Sequence, residues 1–393
     1  MSKANPFPRG AVAVVGAHES PRRKAPKVHP FQIQAEVITA ALADAGLTMA
    51  DVDGFATAAS FPSEGGWQLN AVEIAEYLGI KPTWLDGTDI GGAAALMHVG
   101  HAVAAIEAGL CSVVVISYAS SGRSWPLPAA DFNTGRAGPG QYEVPYGAST
   151  ISAYALAATR YMHQFGLTSE QLAQIAVQAR AYAASNPEAM YRDPITVDDV
   201  LASPMISTPL HKLDCCVVSD SGGAIVVTSK DRAKDTKRGG GPLVLGYGEA
   251  VGQMQMNQMP DFTTTAAAES GKRAYATAGV GPKDIKVAQI YDSFTITVAL
   301  TLDALGLAPH GQVGEFVASG QLGPKGRLPI NTDGGGLSSN HSGRRGIYAI
   351  IEAVRQLRGE SPGLQLPNPE LCLVNGTGGW LSATATLILG ASR

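Results

Sequence analysis

Short apolar runs closed by glycine alternate along the chain with stretches in which apolar positions return every three or four residues. That alternation predicts an α/β layered fold. Ala11 to Gly16 (AVAVVG) reads as a buried strand, and Ser112 to Ala119 as another. Between them, Phe31 to Ala45 puts Ile33, Val37, Leu42 and Ala45 on one helical face, and Gly46 supplies the C-terminal stop. Thr48, with Asp51 three residues on, has capping-box form and leads into the apolar stretch Val52 to Ala58. Further helices are predicted over Ser152 to Phe165 and Ser169 to Ala184.

The same pattern occurs twice. Ala45 to Phe61 reads AGLTMADVDGFATAASF, and 233 residues later Ala278 to Phe294 reads AGVGPKDIKVAQIYDSF, with Ala-Gly, the Asp and the closing Ser-Phe in register. Thr88-Asp89 and Thr332-Asp333 each open a Gly-rich turn that feeds a helix, and each helix is followed by an apolar strand, LCSVVVIS or LCLVNGTGG. Such self-similarity predicts a duplicated α/β unit, with halves at residues 1–245 and 246–393. The first half is longer by an insertion at about 120–205, rich in Gly, Pro, Tyr and Arg before it turns helical. Either a cover over a site or a plain structural subdomain fits that composition.

Charge and composition narrow the function. With 29 Lys+Arg against 33 Asp+Glu the chain carries a net charge of −4, too little and of the wrong sign to grip a nucleic-acid backbone. No apolar run approaches a membrane span, and the start MSKANPFPRG has no signal-peptide core, so a cytoplasmic protein is expected. Cys111, Cys215, Cys216 and Cys372 have no CxxC spacing and read as reduced, buried structural thiols. There is no Walker loop, no GxGxxG after the first strand, no HExxH and no GxSxG. His98 and His101 share a helical face without a third ligand, so no metal site is expected. The turns at Gly91-Gly92 and Gly334 to Gly336 precede helices whose first amides can hold an oxyanion, although close helix packing also calls for glycine.

Five ordered segments then carry a resemblance over nearly the whole chain: residues 142–166 (YEVPYGASTISAYALAATRYMHQFG), 208–229 (TPLHKLDCCVVSDSGGAIVVTS), YDSF at 291–294, NTDGGGLSSNHSG at 331–343 and NGTGG at 375–379. Together they resemble the thiolase superfamily, nearest to the sterol-carrier-protein-X type and the thiolase-like steroid side-chain aldolases. The resemblance implies a five-layered αβαβα fold of two similar halves with an inserted loop domain. It also implies a dimer acting on acyl-CoA thioesters, with no permanently bound cofactor. Both thiolase cysteines are missing: TDIGGAAAL puts Asp89 or Ile90 where the nucleophile belongs, and NGTGG puts Asn375 in place of the second sulfur. His341, in Asn340-His341-Ser342-Gly343, matches the family histidine. Tyr291, in YDSF, takes the position that helps form an oxyanion hole and that resembles the catalytic tyrosine of the aldolases.

A Claisen thiolase needs a thiolate to hold the acyl group between its half-reactions, whereas a retro-aldol cleavage needs only a base for the β-hydroxyl and donors for the enolate. Retro-aldol cleavage of a β-hydroxyacyl-CoA is therefore the leading expectation, with Tyr291 and His341 catalytic. Asp292, Asp89, Gly91, Gly92, Asn375 and Gly378 form the supporting or oxyanion region, Asp292 as a backbone-positioning carboxylate and Asp89 as a helix cap. Thiolase-type acyl transfer with an unusual nucleophile, and a non-catalytic acyl-CoA-binding scaffold, are the alternatives. The resemblance further implies a small OB-fold and zinc-ribbon partner, with which many members of the branch work; the insertion from Trp125 to Pro145 is apolar and aromatic enough for that contact surface, and equally for a homodimer face or a substrate lid.

Overall fold

A computed structural model describes residues 7–58, 70–125 and 138–392. Among these residues, eleven strands run in chain order: β1 (Val12–Glu19), β2 (Gly54–Thr57), β3 (Trp84–Asp86), β4 (Val113–Ser120), β5 (Met205–Ser207), β6 (Leu210–His211), β7 (Ser221–Ser229), β8 (Leu243–Val251), β9 (Ala288–Ile290), β10 (Leu371–Gly378) and β11 (Ala383–Gly390). The helices are α1 (Pro30–Ala45), α2 (Asn70–Leu78), α3 (Ala94–Glu107), α4 (Thr150–Phe165), α5 (Ser169–Ser185), α6 (Val197–Ala202), α7 (Lys230–Ala233), α8 (Ala267–Ala278), α9 (Thr295–Ala304), α10 (Val313–Ala318) and α11 (Gly346–Arg358).

The strands β3-β2-β4-β7-β1-β8-β11-β10-β9 follow one another in that spatial order, and β5 and β6 form a separate hairpin. Outward from β1 the contacts run antiparallel to β7, antiparallel to β4 and parallel to β2. Outward from β8 the sequence repeats: antiparallel to β11, antiparallel to β10 and parallel to β9. The long row is thus two sheets, β3 to β1 and β8 to β9, which touch through a single pair, Ala13 with Leu243. The sequence repeat is therefore a structural one. Gly46 and Gly279 end α1 and α8 in the left-handed region at φ 73° and 66°, and each is followed by a one-turn 3-10 helix and a parallel strand.

Five layers result. α1 and α2 pack on the outer face of the first sheet through Val37, Leu42 and Ile74. α3 and α11 lie between the sheets, with Leu96, Val99, Val103, Ile347 and Ile351 meeting Val114 and Val227 on one side and Val374 and Leu387 on the other. α8 and α9 cover the outer face of the second sheet against Ile290, Leu373 and Ile388. α3 is apolar nearly all round because both of its faces are covered; α11 is buried on nearly every side too, but carries Glu352 and Gln356 inward and Arg355 and Arg358 in its last turn. The insertion is longer than the expected 120–205: the sheet is left at Ser120 and regained at Ser221, because β5, β6 and the segment after them also lie outside it. Within it, residues 126–137 of the expected contact surface lie outside the described residues. Among the described residues no helix is long and apolar enough to cross a membrane.

Candidate active site

β9 and β10 are parallel, and the C-terminal ends of parallel strands are where α/β sheets bind ligands. Tyr291 stands at the end of β9, its N–H donating to the carbonyl of Asn375 at 3.0 Å. Its ring fits only because residue 92 is glycine: a Cβ there would lie 2.1 Å from Tyr291 Cε2 and 2.4 Å from the carbonyl oxygen of Thr377. Gly378 is as constrained, since its Cβ would fall 1.5 Å from the carbonyl oxygen of Ile90. The glycines at 91–92 and 376–379 thus let a turn of the first half press against β10 of the second, with Tyr291 beside the junction.

The Tyr291 hydroxyl is 3.0 Å from His341 Nε2 and 3.1 Å from the carbonyl oxygen of Gly343, and the two rings meet edge to face at 5.5 Å. That carbonyl can only accept: the phenol proton goes to it in the tautomer in which Nε2–H donates to the phenol oxygen, and to Nε2 in the tautomer in which Nε2 is unprotonated. Burial pushes the Tyr291 hydroxyl well above its ordinary range. Burial, and then the nearby Arg345 guanidinium, pull the His341 imidazole down to about 4. At neutral pH the pair is a neutral phenol hydrogen-bonded to a neutral imidazole.

The residues around the pair are held by carboxylates. Asp292 is fully buried; its Oδ1 accepts from the N–H of Gly336 at 2.7 Å and its Oδ2 from that of Leu337 at 3.2 Å. Burial raises its carboxyl to about 6 despite Arg345 and those amides. It orders the five-residue π turn Gly335–Ser339 and thereby uses up amides that would otherwise be available to an oxyanion. Asp89 Oδ1 accepts from the Gly91 N–H at 2.9 Å, and its repeat partner Asp333 accepts from the Gly335 N–H at the same distance. Asn375, expected in the oxyanion region, turns its side chain away: Nδ2 donates to Thr386 Oγ1 at 2.9 Å, among the hydroxyls that face α8, and only its carbonyl reaches Tyr291. Asp89, Gly91, Gly92, Asp292 and Gly378 surround the Tyr291–His341 pair through backbone and packing rather than by pointing side chains at it.

Sequence reasoning missed the strip between Cys216 and Ser219. Its amides donate from Cys216 to the Ser293 carbonyl, from Val217 to that of Gly336 and from Ser219 to that of His341, and His341 N–H returns a bond to Ser219 Oγ at 3.0 Å. Only the loss of helical and strand periodicity over these residues marks them. Cys215 and Cys216, in and beside this irregular strip, are partly exposed, not buried as expected. All four thiols are nevertheless protonated at neutral pH. Burial pushes Cys111 to about 11 and Cys215 to about 12, and raises Cys216 and Cys372 as well. His98 Nε2 bonds the Thr88 carbonyl at 2.8 Å and His101 Nδ1 bonds Asp86 at 2.7 Å. Among the described residues no cluster of three His, Cys, Asp or Glu is placed to hold a metal.

Beyond the pair, Tyr154 on α4 stacks on Phe294 at 4.5 Å and donates to the Gly379 carbonyl at 3.3 Å. On the other flank of α4 lies a cavity of about 430 Å³, lined by Tyr142, Leu156, Met256, Phe262 and Trp380 with Glu143.

Comparison with known proteins bears on this geometry. Residues 248–391 match a family described as thiolase C-terminal domain-like. A steroid side-chain-cleaving aldolase from Thermomonospora curvata is 35% identical, covering 98% of this chain and 99% of its own. A 17-hydroxy-3-oxo-4-pregnene-20-carboxyl-CoA lyase from Mycobacterium tuberculosis is 34% identical over 97% and 99% of the two chains. Among solved structures, that of an Ltp2-ChsH2(DUF35) aldolase superposes with a TM-score of 0.86 at 35% identity, over 98% of this chain and 99% of that one. Human mitochondrial 3-ketoacyl-CoA thiolase in complex with CoA shares the fold alone, at 14% identity and a TM-score of 0.75 over 98% of this chain and 99% of its own.

Proposed function

The chain belongs to the thiolase superfamily, in the branch that holds the steroid side-chain-cleaving aldolases, and from that membership we propose that it breaks the Cα–Cβ bond of a β-hydroxyacyl-CoA thioester by retro-aldol cleavage. The β-hydroxyl proton passes to Tyr291 Oη as the phenol proton moves to His341 Nε2. The Cα–Cβ electrons become the thioester enolate, Cβ leaves as a ketone or aldehyde, and Cα takes the proton back from the same pair. No group outside the protein is consumed, and no acyl-enzyme forms. Asp89, Gly91, Gly92, Asp292 and Gly378 support the pair by fixing the turns around it.

The observation that carries this reading is the hydrogen bond between neutral Tyr291 and neutral His341, with no thiolate beside it. A neutral imidazole can accept the relayed proton, and acyl transfer has no ionised sulfur to use. The names of the relatives support a steroid side-chain thioester as substrate, and the apolar cavity lined by Leu156, Met256, Phe262 and Trp380 is suited to the bulky end of such an acyl group. The two-component name of the solved aldolase supports a separate small partner. Trp125 and residues 138–145, among them Tyr142 at 66% exposure, are the described part of the expected contact surface. The open edge of β3, with Leu85 exposed, suits pairing with a second copy of the chain.

Turnover of Y291F on a β-hydroxyacyl-CoA tests the assignment. A catalytic proton carrier contributes about 10² to 10⁴, so kcat should fall at least about a hundredfold with the melting temperature little changed. Near-normal turnover would remove Tyr291 from the mechanism.

A further inference from the structure

Two adjacent arginines follow Gly343, and each closes on one of the two repeat-related aspartates. Arg344 pairs with Asp89, Nε to Oδ1 at 3.0 Å, and lies over the ring of Tyr118. Arg345 is almost wholly buried, its side chain 1% exposed. Its Nη2 donates to both oxygens of Asp333 at 2.8 and 2.7 Å, its Nη1 to the carbonyl of Asn340 at 2.8 Å, and its Nε lies 3.1 Å from Asp292 Oδ1. Asp292 directly follows Tyr291, and Asn340 directly precedes His341. One planar, rigid fork therefore grips the neighbour of each half of the hydrogen-bonded pair and the turn between them.

We propose that Arg345 is a positioning residue that sets the separation and mutual orientation of Tyr291 and His341. The proposal rests on the catalytic reading of that pair. Neither residue shares a regular element with the other: Tyr291 ends a three-residue strand, and His341 lies in irregular chain after the π turn. The Asp292 bonds to the π turn and the Cys216–Ser219 strip tie the two segments together, and a further anchor between them bears on their 3.0 Å contact. Arg345 supplies that anchor. Burying a guanidinium is costly unless its charge and donors are matched: three hydrogen bonds run from Nη1 and Nη2 to the Asn340 carbonyl and Asp333, while Nε makes no hydrogen bond and faces Asp292 as an ion pair at 3.1 Å. The cation also disfavours an imidazolium at His341, which keeps the proton acceptor neutral. A lysine carries the charge but cannot span Asp333, Asp292 and Asn340 at once.

The test uses R345K and the isosteric D333N, each compared with Y291F in the full chain. Turnover is measured below the melting temperature of each variant, and the His341 ring nitrogens are followed by NMR. R345K should lower kcat by about ten- to a hundredfold with KM within about threefold, since a misplacement near 1 Å costs about that much. The His341 Nε2 signal should move toward its position in Y291F, and D333N should show both effects more weakly. An arginine serving only stability would lower the melting temperature and leave kcat and the His341 signal alone. Wild-type kcat in both variants overturns the proposal, as does a lower kcat with an unmoved His341 signal. If R345K does not fold, D333N decides by the same two outcomes. If Y291F retains full turnover, the catalytic reading falls, while the His341 signal in R345K still reports whether Arg345 positions the pair.

Discussion

At the residue scale, the proposed chemistry depends on two side chains whose ionisation burial drives in opposite directions. The imidazole accepts a proton only while neutral, and His341 is held down at about 4. The acid limb of kcat/KM should therefore fall near pH 4, well below the ordinary histidine value of about 6.5, with a plateau through neutrality. A pH profile of kcat/KM checks this, and a limb near 6.5 would mean that His341 is not held neutral by its site. Tyr291 and His341 were legible in the sequence because each sits in a short motif with a matching family position. Arg345, Ser219 and Gly343 were not. Their roles come from a buried guanidinium, a hydroxyl and a carbonyl that reach their partners only after distant segments are brought together.

At the scale of elements, glycine placement joins the halves. A methyl group at residue 92 would overlap Tyr291 Cε2 at 2.1 Å and the Thr377 carbonyl at 2.4 Å, both anchored in the second half. G92A should cost about 1 to 3 kcal/mol in stability, as overpacking does, and should lower kcat by more than the stability loss explains, because Tyr291 itself is displaced. Denaturant unfolding and turnover measured together on the variant check this. A wild-type kcat would mean that the turn yields instead of Tyr291. The long elements were legible from periodicity: α1 with its glycine stop, β1 and β4, and the two insertion helices. The three-residue strands β3 and β9 and the π turn carried no usable period. Strand length and a turn ordered by Asp292 are tertiary outcomes.

At the scale of the whole molecule, duplication explains why the candidate site lies where the two halves meet. The repeat places two equivalent Asx turns, at Asp89 and Asp333, around one tyrosine and one histidine from the second half. The duplication and the inserted segment could be read from sequence self-similarity alone, whereas the single strand pair that joins the sheets could not. The central claim is carbon–carbon cleavage without an acyl-enzyme. It is tested most directly by incubating the protein, with its partner where one is required, with a steroid β-hydroxyacyl-CoA and recording both products and intact protein mass. Stoichiometric ketone and the shortened acyl-CoA, with no mass added to the chain, is the result predicted; an acyl adduct on the protein, with transfer to CoA, would contradict it.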